Sequence, residues 1–157
     1  MKSLKNHDIM KNPRFIFLTL MLLATFAAMA RRPQCDEQVF GGRFHDVAAA
    51  SETIVTGSAL GPYALTIYKG LTITDAPEYG SMLEEFVEAD LAAAVDRETV
   101  YRSGHLYYAF LSLPQSSKLN RYVLYLNQTL AGGNRIILIY MEGQADADLI
   151  KKMLKKN

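Results

Sequence analysis

The chain has 157 residues, half of them apolar, with a formal net charge of +1 and one cysteine, Cys35. That composition excludes a disordered chain, and without a basic excess it offers no electrostatic footprint for nucleic acid. A lone cysteine excludes an internal disulfide framework.

The first recognisable element is Phe15–Ala30 (FIFLTLMLLATFAAMA), a run of 16 residues preceded by Lys11 and Arg14 and closed by Ala28-Met29-Ala30. A basic start, an apolar stretch and an A-x-A site together read as a secretory signal peptide, 1–30. The run is shorter than the ~20 residues a spanning helix needs, so no spanning segment is expected after cleavage. Arg31 and Arg32, just past the site, favour retention as an anchor instead. Met10 offers a second start that would shorten the leader. Removing residues 1–30 leaves 127, the size of one domain, 31–157. Lys and Arg then fall from 17 to 13 and Asp and Glu from 16 to 15, a net charge near −2. Cys35 follows Arg32-Pro33-Gln34, which are too bulky and charged for a lipoprotein signal, and it reads as a structural thiol.

Further along, Val39, Phe40 and Phe44 suggest a short helix over Cys35–Phe44, weakened by Gly41-Gly42. Glu52–Thr56 reads as a short strand. Ala64–Thr74 alternates, with Leu65, Ile67, Leu71 and Ile73 on one face and Thr66, Tyr68, Thr72 and Thr74 on the other. Lys69 on the apolar face and the following Gly70 predict a bulge there. Asp75, Pro77 and Glu78 have capping-box spacing and predict a helix over roughly 78–95, with Ser81 after Gly80 as a competing start. Its apolar stripe is Leu83, Phe86, Val87, Leu91, Ala94 and Val95, leaving Glu84, Glu85, Glu88 and Asp90 as a solvated face.

Glu98–Arg102 leads through Ser103-Gly104 into three strands, Gly104–Leu113, Asn120–Gln128 and Asn134–Met141. These are rich in tyrosine and branched aliphatics, and short loops join them as an antiparallel meander. Both faces of these strands are apolar. This predicts a second cover, which could come from a protein partner or a homo-oligomer through the apolar sheet face. The chain closes with a helix from Asp146 to Lys156, acidic at its start and lysine-rich at its end. The fold class is therefore α+β, a single domain with a mostly antiparallel sheet of five to six strands against two main helices.

No residue set is assigned as catalytic, cofactor-binding or metal-ligating. His45 and His105 lie far apart with no ligand spacing around them. Ser103 beside His105 matches no nucleophile frame and reads as a hairpin turn. No phosphate-binding glycine motif is present. The nine tyrosines read as sheet packing, and the Asn127-Gln128-Thr129 sequon as incidental in a bacterial export product.

Several stretches carry a resemblance. They are Pro62-Tyr63-x-Leu65-Thr66, Leu106-Tyr107-Tyr108-x-Phe110-x-x-Leu113-Pro114, Asn120-Arg121-Tyr122, and Ile139-Tyr140-Met141-Glu142-Gly143 before Leu149-Ile150-Lys151-Lys152-Met153. In these the chain resembles, over most of 52–156, an uncharacterised family of small exported proteins from Gram-negative gut anaerobes. The resemblance implies an exported domain and brings no assigned reaction or site residues. The function expected is a non-catalytic binding or structural module of the envelope, with a small periplasmic hydrolase or ligand-binding protein as the alternative.

Overall fold

The computed structural model describes residues 32–155. The expected leader, 1–30, lies outside the described residues. Six strands form one antiparallel sheet: β1 (Ala50–Thr56), β2 (Leu65–Thr74), β3 (Asp96–Arg102), β4 (His105–Ser116), β5 (Leu119–Asn127) and β6 (Arg135–Gly143). Their spatial order is β1-β2-β6-β5-β4-β3. Helix α1 (Gly80–Leu91) carries the chain from β2 to the far edge, and the β3–β6 meander walks back until β6 pairs with β2. The β3–β4 turn is at Ser103-Gly104 as the sequence suggests, whereas the β4–β5 turn is only Ser117-Lys118, tighter than the 114–119 loop expected between those strands. Ser103-Gly104 and Ser117-Lys118 all have positive φ, the geometry that matches strand twist in two-residue connections.

One face of the sheet packs against α1 through Leu83 and Val87, and against an N-terminal π-helical turn, Cys35–Val39. Leu71, Ile73, Leu111, Val123, Tyr125, Ile136 and Leu138 fill this core. The second face is covered by the chain itself, in part. Helix α2 (Ala147–Leu154) contributes Ile150, Met153 and Leu154, and the 3-10 turn Ser58–Tyr63 contributes Leu60; these meet Phe110, Tyr122 and Met141. Asp146 caps α2 by accepting from the Leu149 amide at 2.8 Å. Tyr122 and Asn120 fix the preceding loop by donating to the Ala145 carbonyl, at 2.9 and 3.0 Å. The remaining side chains of this face, Tyr108, Leu124, Leu126, Ile137 and Ile139, are half-buried.

Three local expectations need correction. The irregularity in β2 falls between Leu65 and Ile67 rather than at Lys69-Gly70. One extra residue there sends Leu65 to the second face while Ile67, Leu71 and Ile73 stay on the α1 face. Lys69 keeps its register because its ammonium reaches the Asp36 carboxylate beside the rings of Phe40 and Tyr140. The helix is also shorter than 78–95. Pro77–Tyr79 form a 3-10 turn, Tyr79 precedes α1 without a side-chain cap, and Asp96 already belongs to β3. Finally, Asp90 is buried and not solvated: its carboxylate accepts the amides of Gln34 (2.6 Å) and Cys35 (2.8 Å).

Candidate functional site: a polar cleft at the start of helix α1

Where β2 hands over to α1, the chain opens a cleft of about 560 Å³. Its walls are the α1 start (Ser81, Glu84), the head of β4 (His105) and the loop after β5, which begins with the 3-10 turn Gln128–Ala131. Asp75 fixes the distance between the first and last of these. It sits at φ 58°, a left-handed conformation that aspartate tolerates. From there its amide donates to the Asn134 carbonyl at 2.8 Å, and its Oδ1 accepts from Asn134 Nδ2 at 3.1 Å. The expected capping role of Asp75 is thereby lost, because the carboxylate is spent on a partner 59 residues away.

Asn127 forms the floor. It is buried, and its Oδ1 accepts both the amide and the hydroxyl of Thr129, at 3.2 and 2.6 Å. This local turn starts the 128–131 segment. Its side-chain amide lies so close under the helix start that a Cβ on Gly80 would come within 2.9 Å of Nδ2, which is why a glycine opens α1. Beneath it the Tyr125 phenol donates to the Gly80 carbonyl at 3.4 Å. Burial pushes the Tyr125 pKa up to about 12, and a hydrogen bond from Asn127 partly opposes that.

Glu84 ties the α1 wall to the head of β4. One turn into α1, its Oε1 accepts the Leu106 amide at 2.8 Å and its Oε2 faces His105 Nδ1 at 3.1 Å. Four residues on, Glu88 accepts from the Tyr101 phenol at 2.9 Å, so the two acids clamp the β3–β4 hairpin onto the helix. With Nδ1 turned to Glu84, the second ring nitrogen of His105 is left for the cleft, and its side chain is 56% exposed. The lining holds two carboxylates and one histidine, with no lysine or arginine.

The other residues weighed from sequence lie elsewhere. Ser103 sits in the β3–β4 turn and His45 in an exposed turn after the N-terminal segment. Cys35 is fully buried, and burial together with Asp90 pushes its thiol well above its ordinary value, so it is an inert packing group. Among the described residues no group of three or more His, Cys, Asp or Glu could hold a metal ion. No helix among them is long and apolar enough to cross a membrane.

A family model described as "Family of unknown function (DUF6108)" matches residues 23–154. The chain belongs to this family. The match agrees with the resemblance read from the strand motifs, and it takes in every residue of the cleft. DUF6108 membership assigns no role to those residues. No curated protein and no solved structure matches the chain.

Proposed function

We propose that this DUF6108 protein is a non-catalytic, exported binding module of the cell envelope, with its ligand held in the cleft between α1 and the 128–134 loop. The observation that carries the reading is how the polar groups are used. Glu84 spends both oxygens on Leu106 and His105, and Asn127 spends its carbonyl on Thr129. Groups braced in this way are preorganised to orient a ligand rather than to exchange protons with one. The acceptor-rich lining, without lysine or arginine, suits a small polar ligand that is neutral or cationic and disfavours anions. Export is supported by the apolar run with its A-x-A end, directly ahead of the segment that Asp90 holds. Calorimetric titration with neutral oligosaccharides, primary amines and dicarboxylates tests the ligand class. Binding in the first two groups, weakened at least about tenfold by Asp75→Ala, is the expected result. Binding confined to dicarboxylates would overturn it.

A second reading, a small hydrolase, rests on one specific arrangement. Glu84 faces His105 Nδ1, and Ser81, one turn earlier on α1, lines the same cleft. A fluorophosphonate probe that labels the protein, and fails to label Ser81→Ala, would favour catalysis over binding.

A further inference from the structure

The two edges of the sheet differ in how they are protected. Edge strand β3 carries Asp96, Arg97, Glu98 and Arg102 among seven residues, and its register breaks between Val100 and Tyr101. Charges and bulges are the usual means of keeping an open edge from pairing. Edge strand β1 (ASETIVT) has neither device: its one charge is Glu52, it contains no proline, and it pairs with β2 without a break from Ala50↔Ile73 to Thr56↔Ile67.

The hydrogen-bond parity shows which backbone groups this edge presents. The Thr74 amide donates to the Ala49 carbonyl at 2.9 Å and the Gly57 amide to the Thr66 carbonyl at 3.1 Å. In an antiparallel ladder alternate residues turn both backbone groups toward the same neighbour. Ser51, Thr53 and Val55 therefore bond to β2, while Glu52, Ile54 and Thr56 turn theirs outward. The outward row ends at Ala50, whose amide is taken by the Val47 carbonyl at 2.9 Å. Ile54, central in the row, leaves 52% of its surface exposed. Glu52 keeps a buried Oε1 with no hydrogen-bond partner among the described residues.

We propose that β1 pairs with β1 of a second copy of this chain, antiparallel about a two-fold axis through Ile54, joining two six-stranded sheets into one. The row is self-complementary. Ile54 meets Ile54, and each Glu52 lies across from the Thr56 of the other copy. About six backbone hydrogen bonds form, two for each facing pair. The exposed Ile54 side chains cover each other, and each Thr56 hydroxyl lies beside the Glu52 side chain of the other copy on the same face. The two Glu52 side chains are held about 13 Å apart by strand geometry, so they do not repel strongly. The guarded β3 edge stops further addition, and the two-fold pairing closes at two chains. An extended segment of another protein could use the same backbone groups, but it would have to supply the matching isoleucine and threonine; a second copy does so necessarily.

The test uses the protein recovered from its producing cells. Sedimentation equilibrium should return twice the chain mass in the micromolar range. Ile54→Lys, which places two ammonium groups at the axis, should weaken association at least about 100-fold, whereas Thr53→Lys on the same strand should weaken it far less. Ile54→Cys should cross-link the dimer through a symmetric disulfide, since Cys35 is buried and facing Cα atoms in such a pair are about 5.5 Å apart. A monomeric wild type at about 100 μM would overturn the proposal. So would a dimer that Ile54→Lys leaves intact, or one that Ile54→Cys fails to cross-link. If Ile54→Lys does not fold, the cross-linking result decides alone.

Discussion

Asp90 does the work of a cap for a segment far from it in sequence. Its two oxygens hold the amides of Gln34 and Cys35 at the end of α1, and they bind the N-terminal turn to the sheet-covering layer. Replacing it with alanine leaves two amides without an acceptor in a buried site. Asp90→Ala should cost about 2–3 kcal/mol in urea unfolding. The release of the N-terminal turn should also open Cys35 to thiol reagents well before the rest of the protein unfolds. If the Cys35 labelling rate in Asp90→Ala still equals the global unfolding rate, the carboxylate is not what holds the turn.

At the scale of elements, the strands and the start of α2 at Asp146 are the most legible parts of the chain, and the start of α1, for which the sequence offers two competing signals, is the least. Tyrosine and branched residues at period two point to β2, β4, β5 and β6 because a pleated surface selects those residues locally. The capping box at Asp75 and Glu78 misleads for the opposite reason. Asn134, remote in sequence, takes the Asp75 carboxylate and moves the helix start to Gly80. Asp90 reads as solvated because neighbouring acids share its helix, and nothing local marks its two distant amides. Bulges are equally non-local. The one between Leu65 and Ile67 faces Gly143 at the end of β6, where a Cβ would lie 2.4 Å from the Ala64 carbonyl oxygen and 2.6 Å from the Leu65 Cα. Both contacts are backbone and cannot swing aside. Gly143→Ala should therefore destabilise by about 1–3 kcal/mol, measured by thermal or urea unfolding, although the position is in a strand where alanine is otherwise tolerated. A neutral result would mean that the β2 irregularity can shift along the strand.

For the whole molecule, the cleft could not be seen from sequence because its walls come from three separate stretches: 75–84, His105 and 127–134. What joins them is the buried layer beneath, and that layer carries a pH signature. Burial raises the Tyr125 phenol from its ordinary value of 10.0 to about 12, and burial with the Glu142 hydrogen bond raises Tyr140 in the same direction. A raised folded pKa means that this stabilisation is complete below pH ~10 and is lost as pH climbs toward the folded value, because only unfolded chains release the proton early. Stability should fall between about pH 10 and 12, and Tyr125→Phe should flatten that fall. At neutral pH the same change should cost only about 0.5–1.5 kcal/mol, the weak bond to the Gly80 carbonyl. An equally steep alkaline slope in Tyr125→Phe would show that other groups carry it.

The place of β6 between β2 and β5 has a consequence for assembly in time. Synthesis from the N-terminus delivers a β1–β2 hairpin, then α1 and a β3–β4–β5 ribbon, and no strand joins the two parts of the sheet until Arg135–Gly143 arrives. Until then each fragment shows the apolar rows that β6 will later cover, and neither can close on its own. The nascent polypeptide thus stays open to threading, or to a holding chaperone, until about the last seventh of its sequence, 135–157, is made, and cooperative closure comes as one late event.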